Sequence, residues 1–311
     1  WESPLRYRHD RLCNRLGKAL EKAGADELAL QSYEKSVLPP SRERRARIHL
    51  KQGNTRRALF LCKEMLQQPL SEAEIQFATF FTSRCLKKRD VKMAAKKRFQ
   101  PVIETIPLER DCQSGTKVEA LVSQWLMETT GGICFYTENW LFNAVFGLTF
   151  WQAIFDNITG AFTHPFQSRP HDLYEPTFCN KREDQIACAF AKISTKSWPD
   201  VLRRIWLQKY GIRNPFVSWN PEGWPVIATA LERIPTHDWR IVFQRMLRDL
   251  RNHCSGFPDL IHFPESGSYR LLEVKSPTDK VQPNQLRWMQ YFHQQKIPYG
   301  LLQVKWNSAP S

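Results

Sequence analysis

Cysteine and histidine patterns that would indicate zinc or disulfide chemistry are missing from this sequence. The eight cysteines include no Cys-x-x-Cys pair, and the eight histidines include no His-Glu-x-x-His motif. Structural zinc sites, disulfide frameworks and zinc hydrolases depend on such spacings. The cysteines are therefore predicted to be reduced thiols in an intracellular protein. The sequence also contains no P-loop and no nucleophile elbow, which argues against a helicase motor and against Ser or Cys nucleophilic catalysis.

Long apolar runs are missing as well. The most apolar stretch, residues 140–158, is interrupted by polar residues and a glycine, whereas a membrane helix needs roughly 20 apolar residues in succession. The sequence shows no secretory signal. We therefore expect no membrane partner, and a location in the cytoplasm or nucleoid of a bacterium or in the nucleus of a eukaryote. The first residue is Trp1 rather than Met, which indicates a fragment of a longer protein.

Charge is unevenly distributed along the 311 residues, whose net charge is +14. Residues 1–110 contain 24 Lys and Arg against 13 Asp and Glu, a difference of +11, whereas residues 111–311 contain 21 against 18, a difference of +3. A basic region of this kind is typical of a polyanion-binding protein. For charge alone, a solubilising surface is an equal alternative. Because no amphipathic membrane helix stands out, nucleic acid is the expected polyanion.

Residues 1–110 are predicted to form a helical domain with short turns. The segments LEKAGADELAL (residues 20–30) and LKQGNTRRAL (residues 50–59) share a Leu, a Gly and an Ala, and the Gly and Ala matches keep the same offset. Helix, Gly turn and helix, with a small residue at the next packing position, is typical of tetratricopeptide hairpins. Two units do not establish a repeat, so we predict TPR-like helical packing.

Two basic runs, Ser41–Lys51 and Lys87–Arg98, lie in this helical domain. Either run alone is more often a solvated helix face. Two runs in one domain favour contact with DNA phosphates. The predicted DNA-binding residues are Arg42, Arg44, Arg45, Lys87, Lys88, Lys96, Lys97 and Arg98.

Residues 111–311 are predicted to form a second domain. A helix over 117–130 and a short strand lead into a mainly helical insertion at about 140–250, whose tryptophans are expected mostly in the core. A catalytic α/β core follows at 256–306. In it, strands Leu260–Phe263 and Tyr269–Val274 form a hairpin. A helix from about Pro283 to Gln295, capped by Thr278 or Asp279, and a strand at Tyr299–Val304 complete the core.

The segment GFPDLIHFPESGSYRLLEVKS, residues 256–276, carries the most informative motif. Residues i and i+2 of a strand share a face, so Glu273 and Lys275 are predicted to point together while Val274 points into the core. Pairing of the two strands brings Asp259 beside Glu273. Two carboxylates and a lysine on one surface are predicted.

This set of residue types suits phosphodiester hydrolysis. Asp259 and Glu273 supply the oxygen ligands that Mg²⁺ or Mn²⁺ prefers, and the Val274 carbonyl is a plausible further ligand. Lys275 can orient the attacking water or neutralise developing charge. The alternative is a surface hairpin with an ordinary Glu–Lys pair. The apolar flanks of both strands, the following helix with Gln285 and the basic first domain favour the nuclease hypothesis.

The motif resembles a VRR-NUC domain, a branch of the PD-(D/E)xK nuclease superfamily. The shared signature is carried by Pro258, Asp259, Glu273, Lys275 and Gln285. Together with TKVEALVSQWL, YTENW and FGLTFWQAIFD upstream, it resembles the Fanconi anaemia-associated nucleases of bacterial type. The resemblance implies an α+β, mostly helical protein, in which a TPR-like domain precedes a restriction-endonuclease-like α/β nuclease domain with a helical insertion.

The resemblance also implies a further metal ligand, a Glu within a His-Gly-Glu-Gly segment of the family. Tyr136-Thr137-Glu138-Asn139 corresponds to that segment, so Glu138 is the implied ligand. Glu119 is its rival, because related resolvases place an acidic ligand on the preceding helix. The implied activity is magnesium- or manganese-dependent cleavage near 5′ flaps and branched DNA, with 5′→3′ exonuclease activity, in interstrand crosslink repair. The SAP domain and ubiquitin-binding zinc finger of relatives are not visible here.

Two other hypotheses remain open from the sequence. One is a catalytically silent scaffold that binds DNA junctions, although such a protein would be free to lose Asp259, Glu273 and Lys275. The other is an RNA nuclease, for which the sequence shows no RRM, KH or other RNA-binding signature. Cleavage of matched flap, duplex and RNA substrates would separate the three.

Overall fold

The computed structural model describes residues 4–87, 99–109, 116–175, 177–265 and 267–307. The chain consists of two compact units, and the boundary between them lies between Arg98 and Phe99. In the described ranges, no helix combines the length and the apolar character that a membrane span requires.

The described part of the first unit forms a series of helices: α1 (Pro4–Lys22), α2 (Asp26–Glu34), α3 (Ser41–Lys51), α4 (Thr55–Gln67) and α5 (Glu72–Lys87). Gly24 and Gly53 have φ values of 79° and 81° and turn the chain between α1 and α2 and between α3 and α4, a conformation that glycine adopts without strain. Ala29 and Ala58 are fully buried. The predicted pairs of helices around Gly turns, each with a small packing residue, are therefore confirmed.

The second unit combines one sheet with many helices. Its elements are β1 (Ile103–Glu109), α6 (Val118–Thr130), β2 (Ile133–Tyr136), α7 (Trp140–Thr149), α8 (Trp151–Ile154), α9 (Glu183–Ile193), α10 (Trp198–Lys209), α11 (Gly223–Arg233), α12 (Thr236–Arg248), β3 (Leu260–Phe263), β4 (Arg270–Lys275), α13 (Pro283–Gln295) and β5 (Tyr299–Asn307). The strand order is β1-β5-β4-β3-β2. Strands β1, β5 and β4 run parallel, whereas β4, β3 and β2 pair antiparallel.

Strand β1 corrects the prediction that residues 1–110 are helical throughout. Ile103–Glu109 pairs with β5 along its whole length, Ile103 opposite Leu301. Ile106 and Leu108, two residues apart, bury their side chains in the core of the second unit. A seven-residue segment becomes a strand here because its partner, almost 200 residues later in the sequence, supplies the hydrogen bonds.

The two faces of the sheet support different cores. On one face, Leu260, Leu272 and Val274 pack with α6, through Val122 and Leu126. On the other, odd-numbered residues of β3 and β4 such as Ile261 and Leu271 pack with the helices of the insertion. The predicted insertion at about 140–250 accordingly lies between β2 and β3 as α7 to α12. The tryptophans at its centre, such as Trp198 and Trp239, are buried, as predicted.

Helix α13 begins and ends at the predicted residues, but its cap differs from the prediction. Gln282 caps the helix, and its backbone N–H donates to the Gln285 side-chain oxygen at 2.8 Å, forming a capping box. Asp279 instead accepts a hydrogen bond from the Ser276 hydroxyl at 2.6 Å. The predicted cap by Thr278 or Asp279 is therefore wrong, because Pro283 occupies the first helical position and fixes the cap one residue before it.

Candidate active site

The β3–β4 hairpin brings the predicted carboxylates together. Leu260 pairs with Leu272 and Ile261 with Leu271, so the same register sets Asp259, just before β3, opposite Glu273. The Asp259 side chain also accepts a hydrogen bond from the Val274 backbone N–H at 3.0 Å. The predicted juxtaposition of these two acids is confirmed.

Lys275 points to the same side as Glu273, as predicted from the strand period. Its ammonium group donates to the Glu273 carboxylate Oε1, while Val274 between them is buried in the opposite core. Glu273 is completely buried, and Asp259 and Lys275 are each 9% exposed. Burial of three ionisable side chains in one place is costly unless they are paired with one another or bind a ligand.

Burial sets the protonation of this site. It raises the pKa of Glu273 to about 8, and the nearby Asp259 carboxylate adds to the rise, against the opposing effect of Lys275. Burial also raises the pKa of Asp259, partly opposed by the hydrogen bond from Val274 and by Lys275. Two adjacent carboxyl groups that both resist ionisation favour the arrival of a cation.

Oxygen atoms of this site have capacity for such a cation. Oε2 of Glu273 is buried, and no atom of the described ranges lies in hydrogen-bond geometry with it, although Asp259 is close enough to influence its pKa. Hard divalent ions prefer oxygen ligands of this kind. Within the described ranges, however, no three His, Cys, Asp or Glu side chains converge closely enough to hold a metal by themselves. Asp259 and Glu273 therefore fit a divalent cation as two ligands of an incomplete set.

Glu138 is tied to Asp259 through the backbone. The Asp259 carbonyl accepts hydrogen bonds from the N–H groups of Thr137 at 2.8 Å and Glu138 at 2.9 Å. Glu138 has a φ of 35°, a left-handed conformation that is strained for a non-glycine residue and that concentrates at functional sites. Its exposed carboxylate accepts a hydrogen bond from the Tyr136 hydroxyl at 2.7 Å. That hydrogen bond is the main reason that the pKa of Tyr136 is raised.

Glu119 reaches the same region from α6. It is half-buried, and its charge contributes to the raised pKa values of both Asp259 and Tyr136. The structure therefore brings both candidate third acids towards Asp259. The backbone N–H of Glu138 donates to the Asp259 carbonyl, and Glu119 is close enough for its charge to raise the pKa of Asp259. Which of them completes a metal site stays a prediction.

Gln285 is placed at the start of α13, beside the loop that leads to Asp259. A Cβ on Gly256, which has a φ of 89°, would lie 2.9 Å from the Gln285 backbone N, so the loop and the helix are in close contact. The Gln285 side-chain oxygen is engaged in the capping box. Its catalytic role therefore stays a prediction, as does the role of the Val274 carbonyl.

Asn139 is a positioning residue that lies outside the motif predicted from the sequence. Its side-chain oxygen accepts hydrogen bonds from the backbone N–H groups of Gly256 at 2.8 Å and Phe257 at 3.1 Å. Asn139 follows Glu138 directly, so one turn holds both the candidate acid and the loop before Asp259. Its position next to Glu138 suggested that it lies near the site. The hydrogen bond itself could not be predicted, because Asn139 and Gly256 are 117 residues apart in the sequence.

The predicted DNA-binding arginines of α3 take part in ion pairs between helices. Arg42 pairs with the buried Glu74 at 2.7 Å, and Arg45 pairs with Glu34 at 3.0 Å. Arg44 pairs with Glu21. These contacts show a role in packing, and contact with DNA stays a prediction. Of the second basic run, the Lys87 side chain and residues Lys88, Lys96, Lys97 and Arg98 lie outside what the structure describes.

Fold and site together define a class of protein: a mixed sheet with an Asp on one strand of a hairpin and Glu-Val-Lys on the next is the arrangement of PD-(D/E)xK nuclease domains. Comparison with known families agrees, since residues 194–306 match the VRR-NUC domain. Residues 194–306 therefore carry a VRR-NUC domain, and the chain is similar to homologs of Fanconi-associated nuclease 1.

Individual relatives support this placement. The chain is 33% identical to the Fanconi-associated nuclease 1 homolog of Pseudomonas aeruginosa over 97% of its own length and 54% of the relative's. It is 30% identical to Fanconi-associated nuclease 1 of Danio rerio, over 49% of this chain and 16% of that protein. The solved structure "Crystal structure of paFAN1 bound to 2nt 5'flap DNA with gap" matches with a TM-score of 0.87 and 32% identity, covering 97% of this chain and 56% of that one. The chain therefore spans about half the length of the P. aeruginosa relative and of paFAN1.

Proposed function

We propose that this protein is a divalent-metal-dependent DNA nuclease that cleaves phosphodiester bonds near 5′ flaps and branch points. The observation that carries the proposal is the buried pair Asp259 and Glu273, in which Glu273 Oε2 has no hydrogen-bond partner among the residues that the structure describes. The similarity to paFAN1, which was solved with 5′-flap DNA, supports the choice of substrate. Mg²⁺ or Mn²⁺ is the proposed ion, because carboxylates and carbonyls are the ligands these ions prefer.

Each residue of the site has a proposed task. Asp259 and Glu273 hold the ion, with the Val274 carbonyl and either Glu138 or Glu119 completing its ligands. A bound divalent ion would lower the pKa of a ligated water and stabilise charge on the transferred phosphate. Lys275 orients the attacking water or donates to a phosphate oxygen, since its ammonium group already lies against Glu273. Gln285, at the start of α13, completes the catalytic set.

The finer features of the activity form part of the same proposal. They are a 5′→3′ exonuclease polarity, a preference for branched over linear duplex, and a role in interstrand crosslink repair. Positions 42, 44 and 45 and the basic run 87–98 are proposed DNA contacts, although the α3 arginines would have to leave their glutamates to bind phosphate. A catalytically silent junction-binding scaffold is less favoured, because a buried acid pair with an uncompensated oxygen is costly without a ligand.

A cleavage assay on matched substrates tests the proposal. The 311-residue chain is mixed with equal concentrations of a 5′-flap DNA, the same duplex without a flap, and an RNA duplex, each with Mg²⁺, Mn²⁺ or EDTA. We expect cleavage of the flap substrate with either metal, slower cleavage of the linear duplex, and none in EDTA. Binding of flap DNA without cleavage under any metal condition would favour the silent scaffold, and preferential RNA cleavage would overturn the substrate class.

A further inference from the structure

Helix α1 carries five basic side chains along one face: Arg8, Arg11, Arg15, Lys18 and Lys22. Their spacing alternates between three and four residues, so at 100° per residue they fall within an arc of about 80°. All five side chains are exposed. From the first to the last, the row extends about 21 Å along the helix axis. We call this row the basic face of α1.

The opposite side of α1 is fixed against α2, so the basic face is held towards solvent. Asp10, Cys13 and Gly17 are buried on that inner side. Gly17 lies so close to the ring of Tyr33 that an added Cβ would be 2.7 Å from it. The Ser32 hydroxyl donates to the Cys13 carbonyl at 2.9 Å. Rotation of α1 that would hide the basic face is therefore prevented by close packing.

The basic face differs from the arginines of α3 in the state of its charges. Arg42, Arg44 and Arg45 each pair with a glutamate from another helix. No residue of the basic face forms an ion pair with any residue of the described ranges. Five uncompensated charges on one ordered surface raise the local positive potential, whereas paired charges largely cancel at a distance.

We propose that the basic face of α1 binds the phosphate backbone of duplex DNA. The proposal rests on the proposed function for its substrate class, and it assigns the contact to residues outside the two basic runs predicted from the sequence. A straight row of cations along a rigid helix can follow one DNA strand, whose phosphates repeat every 3.4 Å along the axis. Such contacts read no sequence, which suits an enzyme that acts on branched structure.

Exposed leucines raise a second possible partner for α1. Leu5, Leu12 and Leu16 are 65%, 63% and 51% exposed, and they lie beside the basic face rather than opposite it. A helix that lies in a membrane surface places its apolar face opposite its charged face. The arrangement therefore favours DNA over an anionic lipid surface, and binding to lipid becomes an outcome of the test.

The test compares two variants of the full chain that lose the same charge. One carries Arg8→Gln, Arg11→Gln, Arg15→Gln and Lys18→Gln. The control carries Arg56→Gln, Arg57→Gln, Lys63→Gln and Arg84→Gln, which removes four exposed charges of the same unit that lie outside α1. Affinity for a labelled duplex is measured by fluorescence anisotropy in EDTA, from about 50 to 200 mM salt, so that no cleavage interferes.

For the α1 variant we expect the slope of log K against log salt to become shallower by roughly three to four, at about 0.9 per lost phosphate contact. The control slope should change by less than about one. A third variant, Arg8→Lys, Arg11→Lys and Arg15→Lys, keeps the charge and should retain the wild-type slope, which separates loss of charge from misfolding. Equal slope changes in the α1 and control variants would overturn the proposal. The proposal would also be overturned if the α1 variant lost binding to phosphatidylserine vesicles while its DNA binding stayed unchanged.

Because binding is measured without metal, the two proposals fail separately. If the chain never cleaves DNA but the salt slope of its α1 variant becomes shallower, the DNA-binding proposal stands and the nuclease proposal is wrong. If the chain cleaves flap DNA but its α1 variant keeps the wild-type salt slope, the nuclease proposal stands and the DNA-binding proposal for the basic face of α1 is wrong.

Discussion

In the first unit, Arg42 and Arg44 each pair with a glutamate from another helix. In the second unit, the acids Asp259 and Glu273 lie opposite each other, and a single lysine, Lys275, pairs with Glu273. The pairs of the first unit satisfy both charges and hold helices together. The acids of the second unit repel one another, and Glu273 Oε2 has no hydrogen-bond partner in the described part of the chain. The difference indicates that ion pairs stabilise the packing of helices in the first unit, whereas the acids of the second unit suit the binding of a cation.

The largest expected effect comes from breaking the acid pair. Asp259→Ala and Glu273→Ala should each slow metal-dependent cleavage by on the order of 10³-fold, because a metal ligand supplies several kcal/mol of transition-state stabilisation. DNA affinity in EDTA should stay within a few fold of wild type, since neither side chain is a cation. Rates come from single-turnover cleavage of flap DNA. Near-normal turnover of either variant at saturating Mg²⁺ would remove the metal-site assignment.

The next largest effect should separate the two candidate third acids. Glu138→Ala is expected to weaken Mn²⁺ binding by about 10- to 100-fold, because its backbone is locked to Asp259. Glu119→Ala, the matched control from α6, should weaken it by less than threefold. Calorimetric titration with Mn²⁺ measures both without requiring turnover. A larger loss in the Glu119 variant would transfer the role of third ligand to that helix.

A pH effect of intermediate size should follow from the burial of Glu273. Its pKa rises from 4.5 to about 8 in the folded protein, so the folded state holds a proton that the unfolded chain releases between these values. Without metal, stability should therefore fall as pH rises from about 5 to 8, by at most about 1.4 kcal/mol per pH unit. Glu273→Gln should show a smaller fall, because only Asp259, whose pKa is also raised by burial, then contributes. Urea unfolding followed by tryptophan fluorescence reports it, since every Trp except Trp1 lies in the second unit.

Parallel curves for wild type and Glu273→Gln would contradict that expectation. They would mean that Lys275, which donates to the same carboxylate, keeps Glu273 ionised in the folded protein. Repeating the measurement with saturating Mn²⁺ provides the control, because a bound cation should favour the ionised carboxylate and reduce the pH dependence.

The smallest effect concerns an ion pair of the first unit. Arg42→Ala leaves Glu74, which is 2% exposed, without its charged partner and should destabilise the contact between α3 and α5 by about 1–3 kcal/mol. Arg56→Ala, an exposed control, should change stability by no more than about 0.5 kcal/mol. Hydrogen exchange of the Leu70 amide, which donates to Glu74 at 2.9 Å, gives the local readout. Unchanged protection in Arg42→Ala would show that this pair contributes nothing to packing.

Local patterns in the sequence determined much of this protein. The period of two in RLLEVK predicted that Glu273 and Lys275 share a face, and the short turn before it predicted the hairpin that brings Asp259 alongside. Gly24 and Gly53 marked the helix turns because few other residues adopt a positive φ without strain. The extent of α13 followed from its apolar spacing, although its predicted cap was wrong. In each case the signal lies within a few residues of the structure that it specifies.

Tertiary structure decided the features whose partners are distant in sequence. Strand β1 exists because β5 pairs with it, and the strained turn at Glu138 is held by the Asp259 carbonyl, which accepts hydrogen bonds from two successive N–H groups. The α3 arginines meet glutamates on other helices, so the same basic run that suggested DNA contact became part of the packing. The basic face of α1 follows from the opposite circumstance, since none of its five cations forms an ion pair with an acid of the described ranges. A sequence shows which charges are present, but only the packed chain determines which of them are neutralised.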